Sequence, residues 1–395
     1  MKRQMILLIL TAILIMGLTA CGEKASGSAE QEKQTTSQEQ QSGKQTTAFL
    51  TESGTENTKE KEKQDTDQNV QQEQTVRRAG SSADTQQTPA DFPDAYYYGS
   101  GRMSDATYRL MYQKMPEPME NDTVLHTDPD LSEIQVLYLW EKDRVPAWTR
   151  YEENKSGYYF DQPDFRPYMT AIPVREGVKP KGAVILLAGG AFAFRGNYTD
   201  SLPTAAKLRE LGFLTFIVDY RLHPYTQEEG ALDVARAVRY IRKHADVYGI
   251  DPNAIAVMGY SAGGIQTGEF FLHYDEEVNG SALDASYEPD ELDQISAHAS
   301  AAGMIYSFYG RLSVASKDKE DLKRGNLPPT FYVYGTRDPF FRQFEAQYDL
   351  MQEIGIPLRR IVLLDWPHGF GGDGGWIQDY ADWLELIFSE AKTTS

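Results

Sequence analysis

The chain has 395 residues and a single cysteine, Cys21. One cysteine excludes an internal disulfide and a thiolate metal site. It also excludes a cysteine nucleophile, because Cys21 lies outside any foldable stretch. Basic residues are few: 39 Lys and Arg stand against 58 Asp and Glu, for a formal net charge of −19. This argues against a nucleic-acid partner, since counterion release needs clustered Lys and Arg. The plain meaning of the charge is solubility beside an anionic surface. The apolar run Met5 to Met16 is shorter than the roughly 20 residues of a membrane span. No His-Glu-x-x-His, cysteine pair or calcium-loop pattern occurs, so no metal is implied. Gly371 to Gly375 is glycine-rich but lacks the lysine and the strand-helix setting of a phosphate loop; it reads as a flexible lip beside His368.

What is present begins with a leader. Lys2 and Arg3 precede the apolar core, and Leu18-Thr19-Ala20 supplies the small residues of a cleavage site, so residues 1–20 read as a signal peptide. Leu18-Thr19-Ala20-Cys21-Gly22 resembles a bacterial lipobox, in which the cysteine is lipidated and becomes the first mature residue. That resemblance implies an extracytoplasmic protein held to the cell membrane by acyl chains on Cys21. The alternatives are an ordinary secretory signal or a short uncleaved anchor. Residues 21–90 are dominated by Gln, Ser, Thr, Glu and Lys; they cannot bury enough apolar surface to offset ordering entropy, and are expected to form a disordered tether.

From residue 91 the composition changes: Tyr96, Tyr97, Tyr98, Tyr108, Tyr112, Tyr138 and Trp140 appear. Residues 91–395, roughly 300 of them, suit one α/β domain. Strand-like runs are Ile134 to Trp140, Ala183 to Leu187, Leu214 to Val218, Ala254 to Met258, Gly303 to Tyr306, Thr330 to Tyr334 and Arg360 to Leu364. Several are continuously apolar, as strands buried on both faces require. Helical patterns lie between them at Thr204 to Leu211, Gly230 to Tyr248, Arg342 to Ile354 and Trp376 to Ala391. Alternating strand and helix predicts a mainly parallel sheet with helices on both faces. Glu276 to Asp293 is acidic and irregular; it reads as a solvated surface loop or a lid over a site.

Ala254-Ile255-Ala256-Val257-Met258 runs straight into Gly259-Tyr260-Ser261-Ala262-Gly263. A strand followed by Gly-x-Ser-x-Gly is the sequence form of a nucleophile elbow, whose tight turn pushes the hydroxyl out of the end of a sheet. Acyl transfer by serine also needs a base, a carboxylate to orient it, and donors for the oxyanion. Asp338 and His368 follow Ser261 in the order expected of this arrangement, each in a turn just past a strand. Asp338 alone could be a turn residue before Pro339, and His368 a core histidine. The other histidines (His126, His223, His244, His273 and His298) do not follow a strand in a glycine-rich loop. The oxyanion is expected on the N–H of Ala262 and on that of Gly189 or Gly190, in the loop Ala188-Gly189-Gly190-Ala191-Phe192 after an early strand.

With those motifs in hand, the chain from about Leu131 onward resembles the carbohydrate esterases of the α/β-hydrolase fold. These are the acetyl-xylan and feruloyl esterase-like group, related to the hormone-sensitive-lipase-like esterases. Matching stretches include Leu139-Trp140 through Pro146, the loop at Ala188, Val218-Asp219-Tyr220-Arg221-Leu222, Leu232 to Val238, Tyr248-Gly249-Ile250-Asp251-Pro252 and the elbow; Gly335-Thr336-Arg337-Asp338 and His368-Gly369-Phe370-Gly371 complete the set. The resemblance implies a cofactor-free serine esterase acting on a small-molecule or oligosaccharide ester, with Asp219 and Arg221 as structural residues. Ala188 and Ala191 depart from the family's usual His or Pro and third glycine, which bears on how the loop is braced. Two other classes are compatible with an elbow: a prolyl-oligopeptidase-like peptidase, whose propeller has no room here, and a binding protein on an inactive hydrolase fold.

Overall fold

The computed structural model describes residues 95–97, 109–110, 113–119, 128–150, 160–162, 164–325 and 327–393. The expected signal peptide, Cys21, the tether, and Tyr98, Tyr108, Tyr112 and His126 lie outside the described residues. Among those described, nine strands form one sheet: β1 (Ala95–Tyr97), β2 (Gln135–Tyr138), β3 (Tyr168–Ile172), β4 (Gly182–Leu187), β5 (Phe213–Asp219), β6 (Ile255–Tyr260), β7 (Ala301–Ile305), β8 (Thr330–Gly335) and β9 (Leu358–Leu363). Their order across the sheet is β1-β9-β8-β7-β6-β4-β5-β3-β2. Strand β3 runs antiparallel to both of its neighbours, and every other pair is parallel. All residues of β4, β5, β6, β7 and β8 are buried, which is why their sequences are mostly apolar rather than alternating.

Five longer helices follow the strands: α1 (Ser201–Glu210), α2 (Gln227–Lys243), α3 (Ala262–Glu269), α4 (Phe341–Glu353) and α5 (Ile377–Thr393). They cover both faces, because successive strand residues point to opposite sides. On β8, Phe331 meets Tyr380 and Trp383 of α5, while the next residue, Tyr332, meets Tyr348 of α4. On β5, Phe213 packs on Phe388 of α5, and Phe216, three residues on, packs on Tyr248. The mainly parallel sheet covered on both faces is what the alternating pattern predicted, and it is the α/β-hydrolase fold that the resemblance implied.

Helix α2 begins where its capping box dictates. The Thr226 hydroxyl accepts from the Glu229 N–H, and the Glu229 carboxylate accepts from the Thr226 N–H. The predicted single helix Gly230 to Tyr248 breaks at His244, where a separate turn, Ala245–Tyr248, begins. The pattern also missed β3. Its five residues sit between Pro167 and Pro173, so the periodic signal is too short to register.

Candidate active site

The parallel register brings five strand ends to one rim. Strand β4 leads into Ala188, β6 into Ser261, β7 into Tyr306, β8 into the turn holding Asp338, and β9 into the loop holding His368. Ser261 has φ 47° and ψ −117°, a backbone conformation that side-chain-bearing residues avoid at a cost of about 1–3 kcal/mol. Its N–H donates to the Ile305 carbonyl at 3.0 Å, and the Ser307 hydroxyl donates to its carbonyl at 2.7 Å. The flanking glycines are dictated by space. A Cβ at Gly259 would lie 2.1 Å from the Gly263 carbonyl oxygen, and one at Gly263 would lie 2.0 Å from that of Leu187.

The three residues singled out from the sequence meet here. His368 Nε2 lies 2.8 Å from Ser261 Oγ, and His368 Nδ1 lies 2.6 Å from Asp338 Oδ2. A carboxylate accepts and does not donate, so the second contact places a proton on Nδ1 and leaves the Nε2 lone pair facing the hydroxyl. The Asp338 side chain is fully buried, and its other oxygen accepts the Phe340 N–H at 2.9 Å. The imidazole stands against two aromatic edges, Tyr306 with ring centroids 4.8 Å apart and Phe340 at 5.7 Å.

In the loop expected to supply oxyanion donors, the two candidate amides differ. The Gly189 N–H is not free, because it donates to Asp200 Oδ2 at 2.8 Å in a buried contact. The Gly190 N–H has no hydrogen-bond partner among the described residues. The Ala262 N–H opens helix α3, where first-turn amides have no partner within the helix. Gly189 itself abuts Ser261: a Cβ there would stand 3.0 Å from the Ser261 Cβ. The bracing put in question by Ala188 comes from elsewhere, with the Tyr220 hydroxyl donating to the Ala188 carbonyl at 2.8 Å.

Asp200 and Tyr306 were not anticipated from the sequence. Asp200 occupies the N-cap position of α1 but makes no side-chain capping bond. Its Oδ1 instead accepts from the Tyr306 hydroxyl at 2.7 Å and the Thr199 hydroxyl at 3.2 Å. Burial pushes the Asp200 carboxyl up; the hydrogen bonds from Tyr306, the Gly189 amide and Thr199 pull it down. Burial, reinforced by the Asp200 charge, holds the Tyr306 hydroxyl well above the usual range, so it remains a donor. Non-glycine residues with left-handed backbone gather at this rim: Ala191 (φ 55°), Phe192 (φ 58°), Ser261 (φ 47°) and Tyr306 (φ 39°). Gly371, in the expected lip, packs tightly on the loop before α1; a Cβ there would lie 1.9 Å from the Thr199 carbonyl oxygen.

Other expectations fall outside this rim. Asp219 is buried beside Arg195 and Asn197. Arg221 is buried, with its guanidinium on Asp233 and on the carbonyls of Pro146 and Glu229. His244 turns back to the Tyr240 carbonyl, and His273 pairs with Glu269. The segment Glu276 to Asp293 is stitched to α2. Arg236 binds Asp290, Arg239 donates to the carbonyls of Glu276, Val278 and Ile295, and Lys243 pairs with Glu291. Among the described residues, none of its hydrogen bonds reaches Ser261, Asp338 or His368. Asp275, Glu276 and His298 bring one ligand-type atom each within 4.8 Å of one another, with Glu276 exposed and no further feature marking a metal site.

The chain is similar to several known proteins. Residues 172–277 match the family model described as BD-FAE. The chain is 24% identical over 226 residues to an acetylxylan esterase of Xylanibacter ruminicola, covering 53% of this chain and 46% of that protein. It is also 24% identical over 336 residues to endo-1,4-beta-xylanase B of Butyrivibrio fibrisolvens, covering 75% of this chain and 51% of that protein. The chain thus spans about half the length of these curated relatives. Among solved structures, it is similar to an acetyl ester-xyloside bifunctional hydrolase from Caldicellulosiruptor lactoaceticus, with 18% identity, a TM-score of 0.47, and coverage of 66% of this chain and 96% of that one.

Proposed function

We propose that this α/β-hydrolase chain, similar to the BD-FAE family over residues 172–277 and to a curated acetylxylan esterase, is a serine esterase cleaving carboxylic esters. The observation that carries the reading is the chain of contacts from Ser261 Oγ to His368 Nε2 at 2.8 Å and from Nδ1 to Asp338 at 2.6 Å.

In this reading His368 Nε2 takes the hydroxyl proton as Ser261 Oγ bonds to the ester carbonyl carbon. Asp338 holds the imidazole in the productive tautomer and balances the positive charge it acquires. The carbonyl oxygen, now negative, rests on the N–H groups of Ala262 and Gly190, which replaces the choice between Gly189 and Gly190. The carbon–oxygen bond to the alcohol breaks, and the alcohol leaves with the proton from Nε2. Water, deprotonated by His368, then attacks the acyl-enzyme and frees the acid and Ser261.

The substrate we propose is an acetyl or related acyl ester on a carbohydrate; the support is the similarity to an acetylxylan esterase and to a xylanase. The lipobox-like Leu18 to Cys21 supports an extracytoplasmic protein anchored through lipid on Cys21. Cys21→Ser should then move the protein from the membrane fraction to the soluble one; an unchanged distribution would remove the anchor.

The test of the reaction is p-nitrophenyl acetate turnover by the full-length chain and by Ser261→Ala. The wild type should turn over, and the variant should lose roughly 10⁴- to 10⁶-fold in kcat. Equal rates would remove Ser261 from the chemistry. Acetylated xylan and feruloylated oligosaccharides, assayed alongside, then rank the acyl groups.

A further inference from the structure

We propose that Asp200 is a positioning residue for this reaction: its carboxylate fixes the oxyanion loop and the tyrosine behind His368 in one mutual arrangement. The inference rests on the esterase reading above and adds to it a residue that never touches the substrate.

The argument starts from where the side chain goes. An aspartate at the first position of a helix ordinarily caps it, accepting from the free amides of the first turn. Asp200 stands at that position and makes no such bond. Its two oxygens turn inward. Oδ2 takes the Gly189 N–H at 2.8 Å, and Oδ1 takes the Tyr306 hydroxyl at 2.7 Å. These two donors touch the two residues that exchange the proton. Gly189 abuts Ser261, and the Tyr306 ring stands edge-on to the imidazole of His368 with centroids 4.8 Å apart.

The environment of this carboxylate is costly. Asp200 is 5% exposed, and no Lys or Arg among the described residues pairs with it. A buried carboxylate without a cation costs several kcal/mol unless donors satisfy it. Capping α1 would need only a surface residue, so the helix does not explain the burial. The neighbouring strain supplies the reason. Ala191, Phe192 and Tyr306 all hold left-handed backbone, which persists only where surrounding contacts over-determine it. The Tyr220 hydroxyl pins the Ala188 carbonyl, and Asp200 pins the next amide, that of Gly189. Two points fixed in succession restrict the following residue, Gly190, whose N–H has no partner among the described residues.

The test uses the full-length chain with Asp200→Asn. The asparagine keeps the shape but loses the charge and one acceptor: with its oxygen on the Gly189 amide, its NH2 faces Tyr306, whose hydroxyl must then turn to accept, and both charge-assisted bonds are lost. Active sites are counted by end-point labelling with a fluorophosphonate. Then kcat and KM for p-nitrophenyl acetate are measured, together with inhibition by a trifluoromethyl ketone that forms a tetrahedral adduct. Per labelled site, kcat should fall about ten- to hundredfold, within the range for impaired oxyanion donors, with KM within about twofold. Affinity for the ketone should fall by the same factor as kcat/KM. A merely structural role would lower the labelled fraction and leave kcat per labelled site unchanged; that result overturns the proposal. If Asp200→Asn does not fold, Tyr306→Phe decides. It removes one donor and keeps the ring, and should lower kcat about fivefold or more in the same pattern; a wild-type kcat overturns the proposal. A wild type without turnover would overturn the esterase reading and this inference together, whereas an active wild type beside a fully active Asp200→Asn overturns this inference alone.

Discussion

Buried carboxylates keep different company on the two sides of this molecule. Under helix α2, Asp233 is gripped by Arg221 through contacts of 2.9 Å to each oxygen, and Asp293 lies 3.7 Å from both Arg236 and Arg239. At the rim of strand ends, Asp338 meets an imidazole and a backbone amide, and Asp200 meets two hydroxyls and an amide. Neither rim carboxylate has an arginine or lysine partner among the described residues. A guanidinium never gives up its charge, so its pairings are permanent and hold structure. A catalytic carboxylate must instead serve a group whose charge changes during the reaction. An arginine on Asp338 would compete with the imidazole and leave it free to rotate.

The sharpest way to break this comparison is Asp338→Asn. It should cost about 10⁴-fold in kcat, because the amide no longer selects the tautomer with the proton on Nδ1. The thermal midpoint should move little, since the amide oxygen can still accept the Phe340 N–H. Esterase assay and thermal melting on the same sample check both halves; a loss of stability with retained kcat would reverse the assignment. The converse is Arg221→Met. Removing one partner of a buried pair typically costs about 3–5 kcal/mol, here read by urea denaturation, while kcat per labelled active site stays at the wild-type value. A drop in that kcat would mean the two sides are not separable.

The smallest effect lies between the two groups, at Asp219. Burial pushes its carboxyl up to about 6, against the opposing charge of Arg195 and a hydrogen bond from Asn197. The unfolded chain releases this proton near pH 4 and the folded chain only near pH 6, so the folded state holds more protons across that window. Stability from this group is therefore present below about pH 4 and lost as pH rises through about 6, by on the order of 3 kcal/mol. Asp219→Asn should remove that slope from denaturation curves taken between pH 4 and 7. An unchanged slope would show that Arg195 holds the carboxylate charged throughout.

Much of the site could be read in the sequence because each element carried its own local signal. Ser261, Asp338 and His368 each follow a run of strand-forming residues and sit in a turn built from glycine or proline. The sheet could be read for the same reason: strands buried on both faces are written as unbroken apolar runs. Asp200 could not be found this way. In Asn197-Tyr198-Thr199-Asp200-Ser201 it has the look of an ordinary helix start, and only the fold turns its side chain inward. Arg236 and Arg239 were equally opaque. On the helical pattern they are the polar spacers between apolar positions, yet both are buried and hold the segment 276–295 by its backbone carbonyls and Asp290. Gly189 shows the limit from the other direction. The loop lies beside Ser261, but which of its two adjacent amides is already occupied depends on a residue eleven positions away.

The crowding around the elbow carries one more consequence. A pool of variants randomised at positions 259 and 263, and sorted only for soluble expression with no ester in the medium, would come back as glycine at both. The five-letter signature that draws the eye to this chain is therefore a fingerprint of a bend in the polymer. A relative that had lost all hydrolytic ability would keep both glycines, and residues 261, 338 and 368 would tell the two apart.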